Sequence, residues 1–557
     1  MIFVLLNWAY IFVTAFLLGF AFSRLTQRLF GYRPENIIEI IFFGLIAATV
    51  YAQLFSLFWG VGAAADFVLA AVCAVIFIFW RKNIMRLLTR SLKSSGAGYK
   101  AALAGLVLVW CYCTSRGYMH YDSDLYHAQS IRWIEEYGVV PGLGNIHVRF
   151  AYNSSFFALS ALYGMRDVFG QSLHTVNGLI ALLLSVELIS MFTKRARGAL
   201  GGFALSDFAR LGAFYYLTLI YSDIVSPASD YCVMCVVFYI VIRGLSYLER
   251  EEKAAAPYAL LCVAGVYGVT LKLTAGVLLL LVLKPAYMLL KEKRFREICL
   301  YVLMGALVLA PWMIRTALIS GYLLYPFPAL DVLDVDWKID AAAAALDAAE
   351  IKTWGRGLND ASLVGLPIWE WFPQWFKTTL PAIGKLFVSA DIVCAAIAAG
   401  LCVCFLLRPR NKKPVEGTAD KLLVLAAVTA SYVFWQLSAP LLRYGYAYVL
   451  LLITLTGGIL YQRIGGNTRL VWCAAVVLAA AKAVSLADYA ADMADKPYYV
   501  RQQDYGSYAL ESFEAGGITF YYPVSGDRVG YESFPAIPRR VELQLRGDTI
   551  KDGFRAK

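Results

Sequence analysis

Charge is what this sequence has least of. Asp, Glu, Lys and Arg make up 16% of its 557 residues, against 60% hydrophobic residues. The mean hydropathy is +0.62. A water-soluble globule of that composition would expose far too much apolar surface, so the long apolar runs are expected to be membrane helices of about 20 residues each. A cleavable leader is also lacking. The first run, 2–22, has no basic start and is followed by "SRLTQR" instead of a small-residue cleavage site, so it is expected to be retained as a span. Cysteine is absent from the long polar loops. All eleven lie within or at the ends of apolar stretches, which argues against a disulfide framework or a zinc site. Cys232 and Cys235 are expected to pack against lipid or core. No repeat of fixed period is visible, which weakens an inverted-repeat transporter. Nucleic acid is not an expected partner despite a net charge of +11, because the basic residues sit in short loops between apolar runs.

What is present is a chain of about 14 apolar runs, from 2–22 to 470–487, several shorter than a full span. The fold class expected is an all-α polytopic membrane protein of about 14 transmembrane or half-membrane helices, with a small α+β C-terminal region. The basic loops "RKNIMRLLTRSLK" (81–93), "KRAR" (194–197), "KEKRFR" (291–296) and "RPRNKK" (408–413) should face the cytoplasm. Alternation between them requires 258–290 to be a hairpin turning near Lys272. Three large regions then fall outside: 115–171, 320–381 and 488–557. In the last, "GITFYYPV" (517–524) and "VELQLRG" (541–547) have strand character. In the second, "AAAAALDAAE" (341–350) has helix propensity. Also there, "WEWFPQWF" (369–376) is an interfacial helix or lid, or more sharply an aromatic sugar platform.

The first outer region begins "HYDSDLYHAQSIRWIEEYG" (120–138). Two aspartates and two histidines fall within eight residues, directly after an apolar run. The following segment fits an amphipathic helix on the membrane surface, with Trp133 near the headgroups and an end at Gly138. One aspartate is explained as a helix cap or dipole partner; two are not. All four histidines (His120, His127, His147, His174) lie in or just beyond this loop. Carboxylates and histidines in a cluster are what general-base chemistry uses. A divalent cation, Mg or Mn, held by Asp122, Asp124 and His127 is an alternative use of the same residues. Among cations, Lys272 lies inside an apolar hairpin and Arg315 inside the run 298–319, where charge is costly unless it serves a function. Arg443 lies only a few residues past the run 422–437, where snorkelling to the interface competes with function.

Four stretches carry a resemblance: the 120–138 loop, "TLKLTAGVLLL" (270–280), "PWMIRTALISGYLLYPF" (311–327) and "LLRYGYAYVLLL" (441–452). In order, spacing and common outer placement they resemble the GT-C superfamily of polytopic glycosyltransferases, including the protein mannosyltransferase, aminoarabinose transferase and lipopolysaccharide-core transferase branches. Members often carry Asp-Glu followed shortly by Tyr in the loop after the first core helix. Here Asp122 and Tyr126 match, Ser123 stands where Glu is usual, and Asp124 supplies an acid one place later. The match spans roughly residues 100–460 and resembles an uncharacterised bacterial branch.

The resemblance implies accessory helices over 1–100, a core over 101–487 with outer loops 115–171 and 320–381, and an extracytoplasmic domain over 488–557. It implies an inverting transfer of sugar from a polyprenyl-phosphate donor to a glycan or lipid acceptor, at the outer face of a bacterial cytoplasmic membrane. Asp122 or Asp124 would be the base. His120, Tyr126, His127, Lys272, Arg315, Tyr325, Arg443 and Tyr444 would bind substrate, the cations holding the phosphate. No cofactor is required beyond an optional metal. Membrane lipid is the other partner. A lipid-linked glycan polymerase or ligase, a flippase, and a non-catalytic scaffold are the rival classes.

Overall fold

The computed structural model describes residues 1–34, 36–196, 202–408 and 417–555. All the apolar runs are helical: α1 (Ile2–Phe30), α2 (Ile37–Ser56), α3 (Ala63–Ser94), α4 (Ala97–Ser115), α5 (Val176–Ala196), α6 (Leu205–Ile220), α7 (Ser229–Glu249), α8 (Ala255–Leu271), α9 (Leu273–Lys291), α10 (Phe295–Ser320), α11 (Ala382–Leu406), α12 (Thr418–Leu437), α13 (Leu442–Ile464) and α14 (Thr468–Asp492). Among the described residues, eleven helices are long and apolar enough to cross a membrane; the stretch Val176–Ile189 of α5, together with α6 and α8, gives shorter apolar helices. The protein is a multi-pass membrane protein. The expected break at Lys272 is present: α8 ends at Leu271, Lys272 is extended, and α9 begins as a 3₁₀ stretch over Leu273–Val282. The basic segment 81–93 is no loop. It continues α3 as a charged helix past a kink at Trp80. Segment 194–197 and all of 408–413 except Arg408 lie outside the residues whose side chains are described.

The two ends of the bundle are chemically distinct. At one end, backbone bonds join Val61 to Ile134, Tyr118 to Ser222, Gln503 to Ser115 and Ile2 to Tyr499. That end carries loops 115–171 and 320–381 and the C-terminal region. At the other end, a buried ion pair ties Arg243 to Glu39 (3.1 Å) and a half-buried one ties Lys284 to Asp420 (2.6 Å). The N-terminal helices are built into the common core. The Asn7 amide donates to the Tyr163 carbonyl, and the Trp8 indole donates to the Thr175 carbonyl. α1 and α2 touch backbone to backbone: a Cβ on Gly44 would lie 1.7 Å from the Ala15 carbonyl oxygen. Small residues allow that approach where lipid supplies no hydrophobic drive.

In the first loop, a π-helical turn (Ser123–His127) runs into a helix, Ala128–Tyr137, that stops at Gly138 with φ +78°. Trp133 is not at a headgroup surface. It is fully buried against Tyr137, Phe534 and Phe554, because the C-terminal region folds over this helix. That region is built from strand pairs, and no α-helix follows Asp492 among the described residues. β1 (Leu510–Ala515) and β2 (Ile518–Pro523) form a hairpin turning on Gly516 and Gly517, both at positive φ. The strand expected over 541–547 reduces to β3 (Gln544–Leu545), paired with β4 (Phe554–Arg555).

α11 holds one anomaly. Asp391 is 0% exposed, and neither carboxyl oxygen has a hydrogen-bond partner among the described residues. A buried polar group left unmatched costs about 1–3 kcal/mol. Asp391→Leu is therefore expected to raise the thermal unfolding midpoint in detergent. A lower midpoint would mean that the carboxyl is matched by a bound partner.

Candidate active site

The acidic loop is held firmly at its start. Arg116, at the end of α4, is buried between the Tyr112 and Tyr499 rings and donates to the carbonyls of Met493 and Lys496. The His120 amide donates to Ser226 Oγ (2.7 Å), and the Ser123 amide bonds back to the His120 carbonyl, opening the π turn. Two positions apart on that turn, Asp122 and Asp124 face opposite ways.

Asp122 lines a cavity of about 200 Å³ at the loop-bearing end of the bundle. Tyr126, His127, Lys272, Tyr325 and Tyr444 line it too. Arg443 and His120 stand directly behind. Arg443 Nη2 donates to Asp122 Oδ2 (2.6 Å) and to Tyr444 Oη (3.1 Å), while Nη1 meets His120 Nδ1 at 3.0 Å. The Asp122 amide donates to the same His120 nitrogen (3.1 Å). Two donors on Nδ1 make His120 a neutral acceptor. Burial and then Arg443 lower its basicity, consistent with that role. Burial alone would push the Asp122 carboxyl up. The charge and hydrogen bond of Arg443 lead the opposing causes, so Asp122 lies below the usual carboxylate range and is ionised at neutral pH. Its Oδ2 is taken by Arg443; among the described residues its Oδ1 has only Arg149, at 3.9 Å. His127 is held neutral by burial, its pKa lowered to about 3.

Several members of the site were not foreseen. Asp230, in the first turn of α7, also lines the cavity. It pairs with the Lys272 ammonium and lies 3.7 Å from Arg443 Nε. Lys272 therefore does have an acid beside it, brought by another helix, and its ammonium also sits 3.2 Å from the Tyr444 ring centre. Asp230 could have been read as a polar residue just ahead of the run 231–248, but one acid there looks like an ordinary dipole partner. Arg149, Tyr152 and Asp347 were also missed. Asp347 is buried, and its Oδ2 accepts from Tyr152 Oη (2.6 Å) and Tyr325 Oη (3.1 Å).

Three expectations are corrected. Asp124 is not at the cavity. Its side chain accepts from the Gly506 amide (2.9 Å) and Tyr508 Oη (2.8 Å), and its carbonyl accepts from the Val529 and Gly530 amides. It fastens the C-terminal region to the loop. Asp124 accordingly faces away from Asp122 and His127. Among the described residues no group of three His, Cys, Asp or Glu side chains is placed to hold a metal ion. Arg315 is buried away from the cavity, bonded to Asn153 Oδ1 (3.1 Å) and Ser56 Oγ. Asn153 also bonds Trp312, a cavity residue, so Arg315 braces the wall and does not face a ligand. In segment 369–376, Trp371 and Trp375 are core residues packed near Trp435, not a sugar platform.

A family model described as Domain of unknown function (DUF8201) matches residues 1–450. The chain belongs to this family. Every residue lining the cavity lies inside the DUF8201 match, while α14 and the C-terminal region lie beyond it. No curated protein matches the chain.

Proposed function

We propose that this protein is an inverting glycosyltransferase that moves a sugar from a polyprenyl-phosphate donor to an acceptor hydroxyl. The observation that carries the reading is Asp122: an ionised carboxylate lining a membrane-end cavity, with one oxygen engaged by Arg443 and the other open to a ligand. In the reaction, Asp122 Oδ1 accepts the proton of the acceptor hydroxyl as its oxygen bonds to the anomeric carbon. The bond from that carbon to the phosphate oxygen breaks, and its electron pair leaves with the polyprenyl phosphate. Arg443 and Lys272 stand where they can offset the charge growing on the phosphate. Lys272 is shared with Asp230, so phosphate arrival would exchange one anionic partner for another. The basic segments at the far end of the bundle support an orientation in which the cavity opens on the outer face of the cytoplasmic membrane.

The test is the surface glycan and lipid-linked glycan profile of a strain lacking the protein. Complementation with wild type is expected to restore a missing sugar. Asp122→Asn, present in the membrane at the wild-type level, is expected to leave it missing. Full restoration by Asp122→Asn would sink the transferase reading.

A further inference from the structure

The loop helix Ala341–Gly355 reaches the cavity through Ile351. Asp347, Ile351 and Trp354 follow at helical spacing. Asp347 is pinned by Tyr152 and Tyr325, and Ile351 lines the cavity. Just past the helix, Arg356 donates to the Leu437 carbonyl, so the helix end docks on the turn that leads into α13 and Arg443. Trp354 is thereby brought over Arg443, whose guanidinium carbon lies 5.9 Å from its ring centre. Yet Trp354 is 46% exposed. A large aromatic ring, on a helix fixed at its middle and just past its C-terminal end, and left half uncovered beside the Asp122–Arg443 pair, is a built surface for a flat, partly apolar ligand.

We propose that Trp354 is the stacking platform for a pyranose ring of the acceptor, which makes the acceptor a saccharide and not a bare lipid alcohol. This rests on the transferase reading. A pyranose has one face of axial C–H groups that packs on an indole, while its equatorial hydroxyls point sideways. With the ring on Trp354, an edge hydroxyl can enter the cavity toward Asp122 Oδ1. A membrane-interface anchor is the competing use of an exposed Trp, but Trp354 is turned inward over Arg443, unlike Trp369 on the same loop, which is 73% exposed.

The experiment uses the full chain in nanodiscs and saturation-transfer NMR with saccharides released from the wild-type cell surface. Wild type is expected to saturate pyranose ring protons. Trp354→Ala should weaken that binding by roughly tenfold, the scale of one lost aromatic stacking contact. Trp354→Phe should recover most of it, and the thermal midpoint of both variants should stay at the wild-type value. Unchanged binding in Trp354→Ala, no saccharide binding by wild type, or loss matched by a fall in midpoint would each overturn the proposal. The strain profile separates the two failures. If Asp122→Asn still reproduces the null strain, the transferase reading survives and only the platform falls.

Discussion

Asp122→Asn is expected to slow sugar transfer by about 10²–10⁴-fold, the range for loss of a positioned general base. Donor KM should change little, because the amide keeps the shape of the carboxylate and can still accept from Arg443 at the position Oδ2 holds. What it loses is the proton-accepting oxygen that faces the cavity. Release of polyprenyl phosphate from a labelled donor would measure this. Asp124→Asn is the control that the geometry supplies. That carboxylate serves Gly506 and Tyr508, so the change should cost about 1 kcal/mol of stability and leave the rate within a few-fold. A deep rate loss from Asp124→Asn with Asp122→Asn active would reverse the assignment.

The same environment fixes the sign of the pH response. Asp122 is held below its ordinary value of about 3.9, so the base stays ionised as pH falls from neutral until that lowered value is passed. The stability it contributes follows the same course: present above the ordinary value, lost as pH falls through the lowered one. His127, its pKa lowered to about 3 by burial, adds no step near neutrality, and burial and Arg443 shift His120 downward, away from neutrality. Transfer is therefore expected to vary little between about pH 5.5 and 8. A rate that climbs through a midpoint near 6.5 would show a histidine as the base.

The sequence made the helices legible because lipid and protein core demand the same thing of them, and runs such as 231–248 leave no other structure to form. It also made Asp122, Lys272, Arg443 and Tyr444 legible, since charge and phenol at the ends of apolar runs are costly enough to need a reason. What it left open is direction around an axis. Asp122 and Asp124 have nearly the same local sequence, and only the π turn sends one into the cavity and the other to the C-terminal region. Arg315 and Arg443 look alike in a hydropathy trace, yet one faces Asn153 inside the wall and the other two carboxylates. Trp133 seemed destined for lipid because nothing local announced that Phe534 and Phe554 would cover it. Asp230 needed its partner from another helix before it could be recognised.

Arg443→Ala should be the most damaging single change, for two reasons that can be taken apart. Arg443 is the hub of the site, bonded to Asp122, His120 and Tyr444 and 3.7 Å from Asp230. Asp122 is 6% exposed, and removing the partner of a buried charge typically costs about 3–5 kcal/mol; the 18% exposure of the Arg443 side chain places this pair at the lower end. On the proposed mechanism transfer should also fall by at least about 10²-fold, because a cation that would offset the charge growing on the phosphate is gone. Arg443→Lys keeps the charge, but a single ammonium cannot span both carboxylates, His120 and Tyr444, so it should be intermediate in both respects. The double variant Asp122→Asn with Arg443→Ala discriminates. If the stability loss comes from an orphaned carboxylate, neutralising that carboxylate should return most of it, with a coupling energy of about 0.5–3 kcal/mol. Activity should not return, since base and cation are then both missing. Thermal midpoints of the two single variants and the double variant, beside their rates of polyprenyl phosphate release, would measure both. Strictly additive midpoints would mean that Arg443 supports the fold through His120 and Tyr444 instead, and that Asp122 reaches its ionised state without it.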